Sequence, residues 1–108
     1  MTQETIALDV PTEQIAAFCR RWHIVEMALF GSALRGELRP DSDIDILVTY
    51  APGARRTLAG QMQMQDEIEA IFGRKVDLVN RRALERSRNY IRRNAILNSA
   101  RIICRRGK

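Results

Sequence analysis

Downstream of Pro11 the hydrophobic residues Ile15, Ala16, Phe18, Cys19 and Trp22 recur at helical spacing, and Thr12 is placed to cap the helix they predict. From Ile24 to Phe30 the chain turns to apolar and β-favouring side chains and stops at Gly31, the pattern of a buried strand ending in a turn. A short helix-compatible segment begins near Ala33, and Arg39-Pro40-Asp41-Ser42 then signals a turn. Asp43 to Tyr50 reads as a second strand closed by Pro52-Gly53. Between Thr57 and Phe72, Leu58, Met62, Gln65, Ile68, Ile71 and Phe72 fall on one broad helical face, with Gly73 as the C-cap. Lys75 to Val79 suits a third strand and Arg82 to Asn98 a further helix, while Ala100 to Cys104 fits either a fourth strand or a continuation of that helix. The alternation of helices and strands, without repeat, low-complexity tract or linker, predicts one compact α/β or α+β sheet domain over residues 1–108.

Composition narrows this only a little. A chain of 108 residues that is 45% hydrophobic and 29% charged can form one modest core, which argues against disorder. Two distant cysteines, Cys19 and Cys104, do not make a disulfide framework and suit a reducing compartment. Neither a signal-like N-terminus nor an apolar run approaching the ~20 residues of a membrane span is present, so a soluble, cytoplasmic protein with no membrane partner is expected.

Charge distribution changes the picture more. Residues 1–80 carry 8 basic against 12 acidic side chains, whereas residues 81–108 carry 10 basic side chains against Glu85 alone. The net charge of +5 therefore hides an acidic part able to share a cation and a basic part suited to an acidic or phosphate-bearing partner. An arginine-rich solvated surface explains the basic part equally well.

Candidate chemistry gathers around the acidic part. Asp43 and Asp45, two apart in a strand, share one face. Two like charges this close repel, and a divalent cation would relieve the cost of placing them beside apolar neighbours. Hard oxygen ligands point to Mg²⁺, or to Mn²⁺ in its place. A wet strand end or pairing with nearby arginines would also accommodate them. Asp77 is a lone carboxylate within Val76-Asp77-Leu78-Val79; if its strand lies beside the second, it completes a triad. Three carboxylates can hold two metal ions about 4 Å apart for displacement at phosphorus. Gly31-Ser32, at the predicted strand-to-helix turn, would let backbone amides and a hydroxyl approach a phosphate.

Gly31-Ser32-Ala33-Leu34-Arg35-Gly36, Ser42-Asp43-Ile44-Asp45-Ile46-Leu47-Val48 and Val76-Asp77-Leu78-Val79 together resemble the DNA polymerase β nucleotidyltransferase superfamily, and within it the minimal nucleotidyltransferases. The resemblance runs from about Ile15 to Cys104. It implies a small mixed sheet of three to four strands flanked by helices. It further implies that Asp43, Asp45 and Asp77 are catalytic and metal-binding, that two Mg²⁺ ions serve as cofactors, and that Gly31 and Ser32 grip the phosphates of ATP. Arg35 either stabilises phosphate charge or pairs with Glu37 or Asp41, and Ser42 either caps its turn or touches the ligand. Many relatives of this kind are antitoxins encoded beside a helical HEPN-type toxin. The implied reaction is therefore AMP transfer from ATP to a hydroxyl of that partner, a tyrosine by the same resemblance.

A non-catalytic antitoxin that masks its partner through the basic C-terminal segment is the alternative. Nucleic-acid contact by that segment is less favoured, since no recognisable motif accompanies the charge. A homo- or hetero-oligomer is compatible with either reading. His23, as the single histidine, cannot build a histidine-based metal site or triad and belongs at a helix end or surface. Trp22, Phe18 and Phe72 read as core, and Met62 and Met64 as packing or a protein-contact face.

Overall fold

A computed structural model describes residues 10–31, 43–53 and 57–105. Helix α1 (Thr12–Arg21) starts one residue earlier than expected: Pro11 occupies the N-cap and its carbonyl accepts from the Ile15 N–H at 3.0 Å, so Thr12 is the first helical residue. Proline's fixed φ and missing N–H cost nothing at a helix start. Strand β1 (Ile24–Phe30) follows after His23, which turns the chain with φ of +58 at an exposed helix end. Strand β2 (Ile44–Tyr50) pairs antiparallel with β1.

Helix α2 (Leu58–Phe72) ends at the C-cap that its sequence predicts and begins one residue later than expected, with Thr57 as its N-cap. Thr57 accepts from the Gly60 N–H at 3.0 Å, and Gly73 closes the helix in the left-handed region at φ +72. Strand β3 (Val76–Asn80) runs parallel to β2. Helices α3 (Arg81–Glu85) and α4 (Tyr90–Ser99) lead into strand β4 (Arg101–Arg105), antiparallel to β1. The Ala100–Cys104 segment is thus a strand, and the sheet is mixed, in the order β3-β2-β1-β4. No helix among the described residues is long and apolar enough to cross a membrane.

Helices cover both faces of the sheet. On one face, Ile15, Phe18 and Cys19 of α1 and Met64 and Ile68 of α2 pack on Ile24, Met27, Leu29, Ile44, Ile46, Val48 and Val76. Trp22 joins α1 to α2 by donating from Nε1 to Glu67 Oε1 at 2.9 Å, beside an Arg21–Glu67 ion pair at 3.1 Å. On the other face a smaller core forms from Ala28, Phe30, Leu47, Leu84 and Ile96. Period-two alternation along β2 divides Ile44, Ile46 and Val48 from Asp45 and Leu47.

Two expectations are corrected. The arginine-rich stretch from Arg82 to Asn98 is not one helix but breaks between Glu85 and Tyr90. Asn89 accepts from Arg92 N–H at 3.1 Å and Ser87 Oγ accepts from Asn89 N–H at 3.2 Å, so polar side chains that compete with helical hydrogen bonding end one helix and start the next. On α2, Leu58 and Met62 are 78% and 62% exposed rather than part of the packed face. With Gln65 and Glu69 they form a single ridge. Its second half meets the edge of β3, where Gln65 and Glu69 bond Val76, while its first half faces solvent.

Candidate active site

Asp45 sits at the centre of the site because β2 is paired on both sides there. Its register partners are Phe30 on β1 and Asp77 on β3. Registered residues share a face, with Cβ atoms about 4.5–5.5 Å apart, so the Asp45 and Asp77 side chains rise together from adjacent strands. The parallel β2–β3 pairing that the triad requires is present. Asp43 precedes β2 by one residue, two positions from Asp45, and is exposed. Asp77 is also exposed and Asp45 is half-buried.

These carboxylates stand at the wet end of the smaller core, beyond Phe30 and Leu47. That position resolves the sequence puzzle of acidic residues in apolar strands. Ile44, Ile46 and Val76 beside them are buried and Leu78 is half-buried, whereas Asp43 and Asp77 are open to water.

Gly31 closes the site from β1. A Cβ built on it would lie 2.4 Å from Asp45 Oδ2 and 3.3 Å from Asp45 Cγ, and the residue holds φ at +82. Only glycine combines that backbone conformation with so close an approach. The Gly31 main chain and the Asp45 carboxylate therefore lie side by side. The sequence marks Gly31 as a turn; its contact with Asp45 comes from the strand pairing.

Oxygen donors from Asp43, Asp45 and Asp77 match the chemistry of a hard divalent cation. Among the described residues, no three histidine, cysteine or acidic side chains gather closely enough to hold a metal ion. What is brought together is the Asp45–Asp77 pair and Gly31; Asp43 lies just outside β2, two residues before Asp45. Ser32, Arg35 and Ser42, the other expected phosphate contacts, lie outside the described residues.

Other polar groups near the sheet have different jobs. Glu26, further along the same face of β1, accepts from Arg81 at 2.8 Å and from Arg105 at 3.3 Å, tying α3 and β4 to the sheet. With Thr49, Arg82 and Glu85 these residues line a polar concavity of about 380 Å³, set apart from Asp45 by Ala28 and Leu47. Glu69 has its pKa held below the ordinary 4.5, first by the hydrogen bond from Gln65, then by that from the Val76 N–H, with Lys75 adding attraction against a desolvation that works the other way. Helical spacing places Gln65 on an α2 face, but no local pattern connects it, or Glu69, to β3.

The sequence model of the nucleotidyltransferase domain matches residues 12–103, which include every element that builds this site. The chain belongs to the nucleotidyltransferase domain family. Protein adenylyltransferase MntA of Thermococcus cleftensis is 37% identical over 65 residues, 60% of this chain and 64% of that protein, so the match spans a little under two thirds of the relative's length. A solved structure described provisionally as a minimal nucleotidyltransferase superposes with a TM-score of 0.64 at 34% identity, covering 82% of this chain and 85% of its own. A chain from the solved complex of tri-AMPylated Shewanella oneidensis HEPN toxin with MNT antitoxin matches with a TM-score of 0.55, over 85% of this chain and 67% of its own. At 18% identity that likeness speaks for the fold alone. The mixed α/β sheet flanked by helices is thus the nucleotidyltransferase fold expected from the motifs.

Proposed function

We propose that this nucleotidyltransferase transfers AMP from ATP to a hydroxyl group on a partner protein, a tyrosine of a HEPN-type toxin, and thereby acts as an antitoxin. The observation that carries the reading is the register of Asp45 with Asp77, with Gly31 against the Asp45 carboxylate. Asp43, Asp45 and Asp77 would hold two Mg²⁺ ions, which when bound neutralise triphosphate charge and act as a Lewis acid at phosphorus. The Gly31 main chain would admit a phosphate beside Asp45, with Ser32, Arg35 and Ser42 as its further contacts. Asp77, on the edge strand and exposed, would orient the acceptor hydroxyl and take its proton. The acceptor oxygen forms a bond to the α-phosphorus as the bond to the bridging oxygen breaks, and pyrophosphate leaves. Positioning and charge neutralisation supply the acceleration, as is usual in transfer at phosphorus.

The resemblance of the motifs to minimal nucleotidyltransferases supports the choice of partner, as do the relative named an adenylyltransferase and the AMPylated toxin in the structural neighbour. A second reading, neutralisation by direct binding, is favoured by the surface of α4. There Tyr90 and Ile91 are 61% and 70% exposed, flanked by Arg88, Arg92 and Arg93.

The test is incubation of the chain with α-labelled ATP, Mg²⁺ and the HEPN-type protein, beside Asp43→Asn and Asp45→Asn. Label on the toxin that disappears in both variants is the expected result. Undiminished transfer in both would remove this site from the reaction. Loss of transfer with toxin still neutralised would favour the binding reading.

A further inference from the structure

Strand β3 is at the edge of the sheet and five residues long, paired on one side only by β2. Parallel pairing is slightly weaker per residue than antiparallel, and a one-residue slip would carry Asp77 to the opposite face. The polar groups of Val76, immediately before Asp77, are nevertheless both satisfied from the far side by α2. Glu69 Oε2 accepts from the Val76 N–H at 3.1 Å. Gln65 Nε2 donates to the Val76 carbonyl and, at 2.9 Å, to the same Glu69 oxygen. Lys75 is fastened to β2 on the other side, its carbonyl accepting from the Ile44 N–H at 2.9 Å. The residues leading into Asp77 are thus gripped from both edges, and the Val76 side chain is buried in the larger core.

We infer that Gln65 and Glu69 are positioning residues for the site: by clamping both backbone groups of Val76 they fix the register that sets Asp77 beside Asp45. The inference rests on the reading of Asp77 as a metal ligand and proton acceptor. The pair is more than a cover for an open edge because of where it acts. It spans one helical turn, meets the strand at a single residue, and that residue adjoins the carboxylate. Both donors converge on one oxygen of Glu69, so the geometry depends on that atom rather than on the length or bulk of the side chain.

The experiment uses the full chain with Gln65→Ala, Glu69→Ala, Glu69→Gln and Asp77→Asn. AMP transfer to the HEPN-type protein is measured for kcat and for the ATP KM. Mn²⁺ binding is followed separately by electron paramagnetic resonance, and exchange of the 76–80 backbone amides by mass spectrometry. Misplacement of a reacting group by about 1 Å lowers rates about 100-fold, so partial release of the strand is expected to lower kcat about 10-fold in Gln65→Ala and Glu69→Ala. The ATP KM stays within about twofold, Mn²⁺ binding weakens severalfold, and exchange over 76–80 accelerates.

Glu69→Gln retains an oxygen able to accept from both donors and recovers kcat and Mn²⁺ binding to within about threefold of the parent, whatever its melting temperature. If Asp77→Asn loses transfer while Gln65→Ala and Glu69→Ala keep parental kcat and Mn²⁺ binding, the clamp is overturned and the reading of Asp77 stands. A kcat that follows melting temperature across all the clamp variants, with no recovery in Glu69→Gln, also overturns it. Undiminished transfer in Asp77→Asn removes the reading of Asp77 and the inference with it.

Discussion

Replacing Gly31 by alanine perturbs the site while leaving every proposed ligand in the sequence. The new Cβ would stand 2.4 Å from Asp45 Oδ2, and ordinary contact at such a position begins near 3.4 Å, so the carboxylate oxygen must retreat by about 1 Å. A displacement of that size at a group that positions the reaction corresponds to about a 100-fold loss of rate. Alanine at φ +82 also adds backbone strain of about 1–2 kcal/mol. For a domain of this size each kcal/mol lowers the melting temperature by about 4–8 °C. Gly53→Ala separates the two effects: its φ is +79, but a Cβ there meets nothing within 4 Å. Thermal unfolding should show similar losses for the two variants, whereas labelled AMP transfer should fall about 100-fold in Gly31→Ala alone. Transfer by Gly31→Ala within about threefold of the parent would refute the argument that this glycine exists to admit the Asp45 carboxylate. An equal loss in Gly53→Ala would refute it too, by making strain the cause.

Three further outcomes follow from the packing and the charges. Because the folded state holds the Glu69 pKa below 4.5, its contribution to stability is complete above pH 4.5 and disappears as pH falls through the lowered folded value. Chemical denaturation across that range should show a shallower acid loss in Glu69→Gln than in the parent, and identical slopes would refute this. Ile46→Ala, at a side chain with no exposure in the larger core, should cost about 2–5 kcal/mol in urea unfolding; a cost below about 1 kcal/mol would contradict the packing described. Asn89→Ala removes the side chain that accepts from Arg92 N–H at the start of α4 and should cost about 1 kcal/mol, measurable by the same method.

The strands nearest the site were the most legible parts of the chain. Gly31 ends β1 where the apolar run ends, and the lone acid in Val76-Asp77-Leu78-Val79 lies in a strand as its surroundings predict. Period-two spacing predicts one face for Asp43 and Asp45, but β2 begins at Ile44, so only Asp45 has its face set by the strand. Pairing of Asp45 with Asp77 was conditional on strand order, which no local pattern encodes. The break at residues 86–89 is set by Asn89, which caps α4, and by Ser87, which accepts from the Asn89 N–H, side chains whose helix-competing chemistry is visible in the sequence. Leu58 and Met62 continue an apolar ridge by spacing, but exposure depends on how far α2 runs past β3. For the same reason Gln65 and Glu69 gave no sequence sign of meeting Val76: an edge contact is made by placement, not periodicity.

The order β3-β2-β1-β4 also governs how the chain can assemble. Gly31 directly follows β1, and Asp45 and Asp77 belong to β2 and β3, whereas the partner on the other side of β1 is supplied by Arg101–Arg105. The Glu26–Arg105 contact joins positions 79 apart in sequence, a closure that carries a large entropic cost and belongs late in folding. During synthesis, β1 must therefore wait with one edge unpaired until β4 leaves the ribosome. That exposed edge is the point at which a stalled or truncated chain would associate with its neighbours.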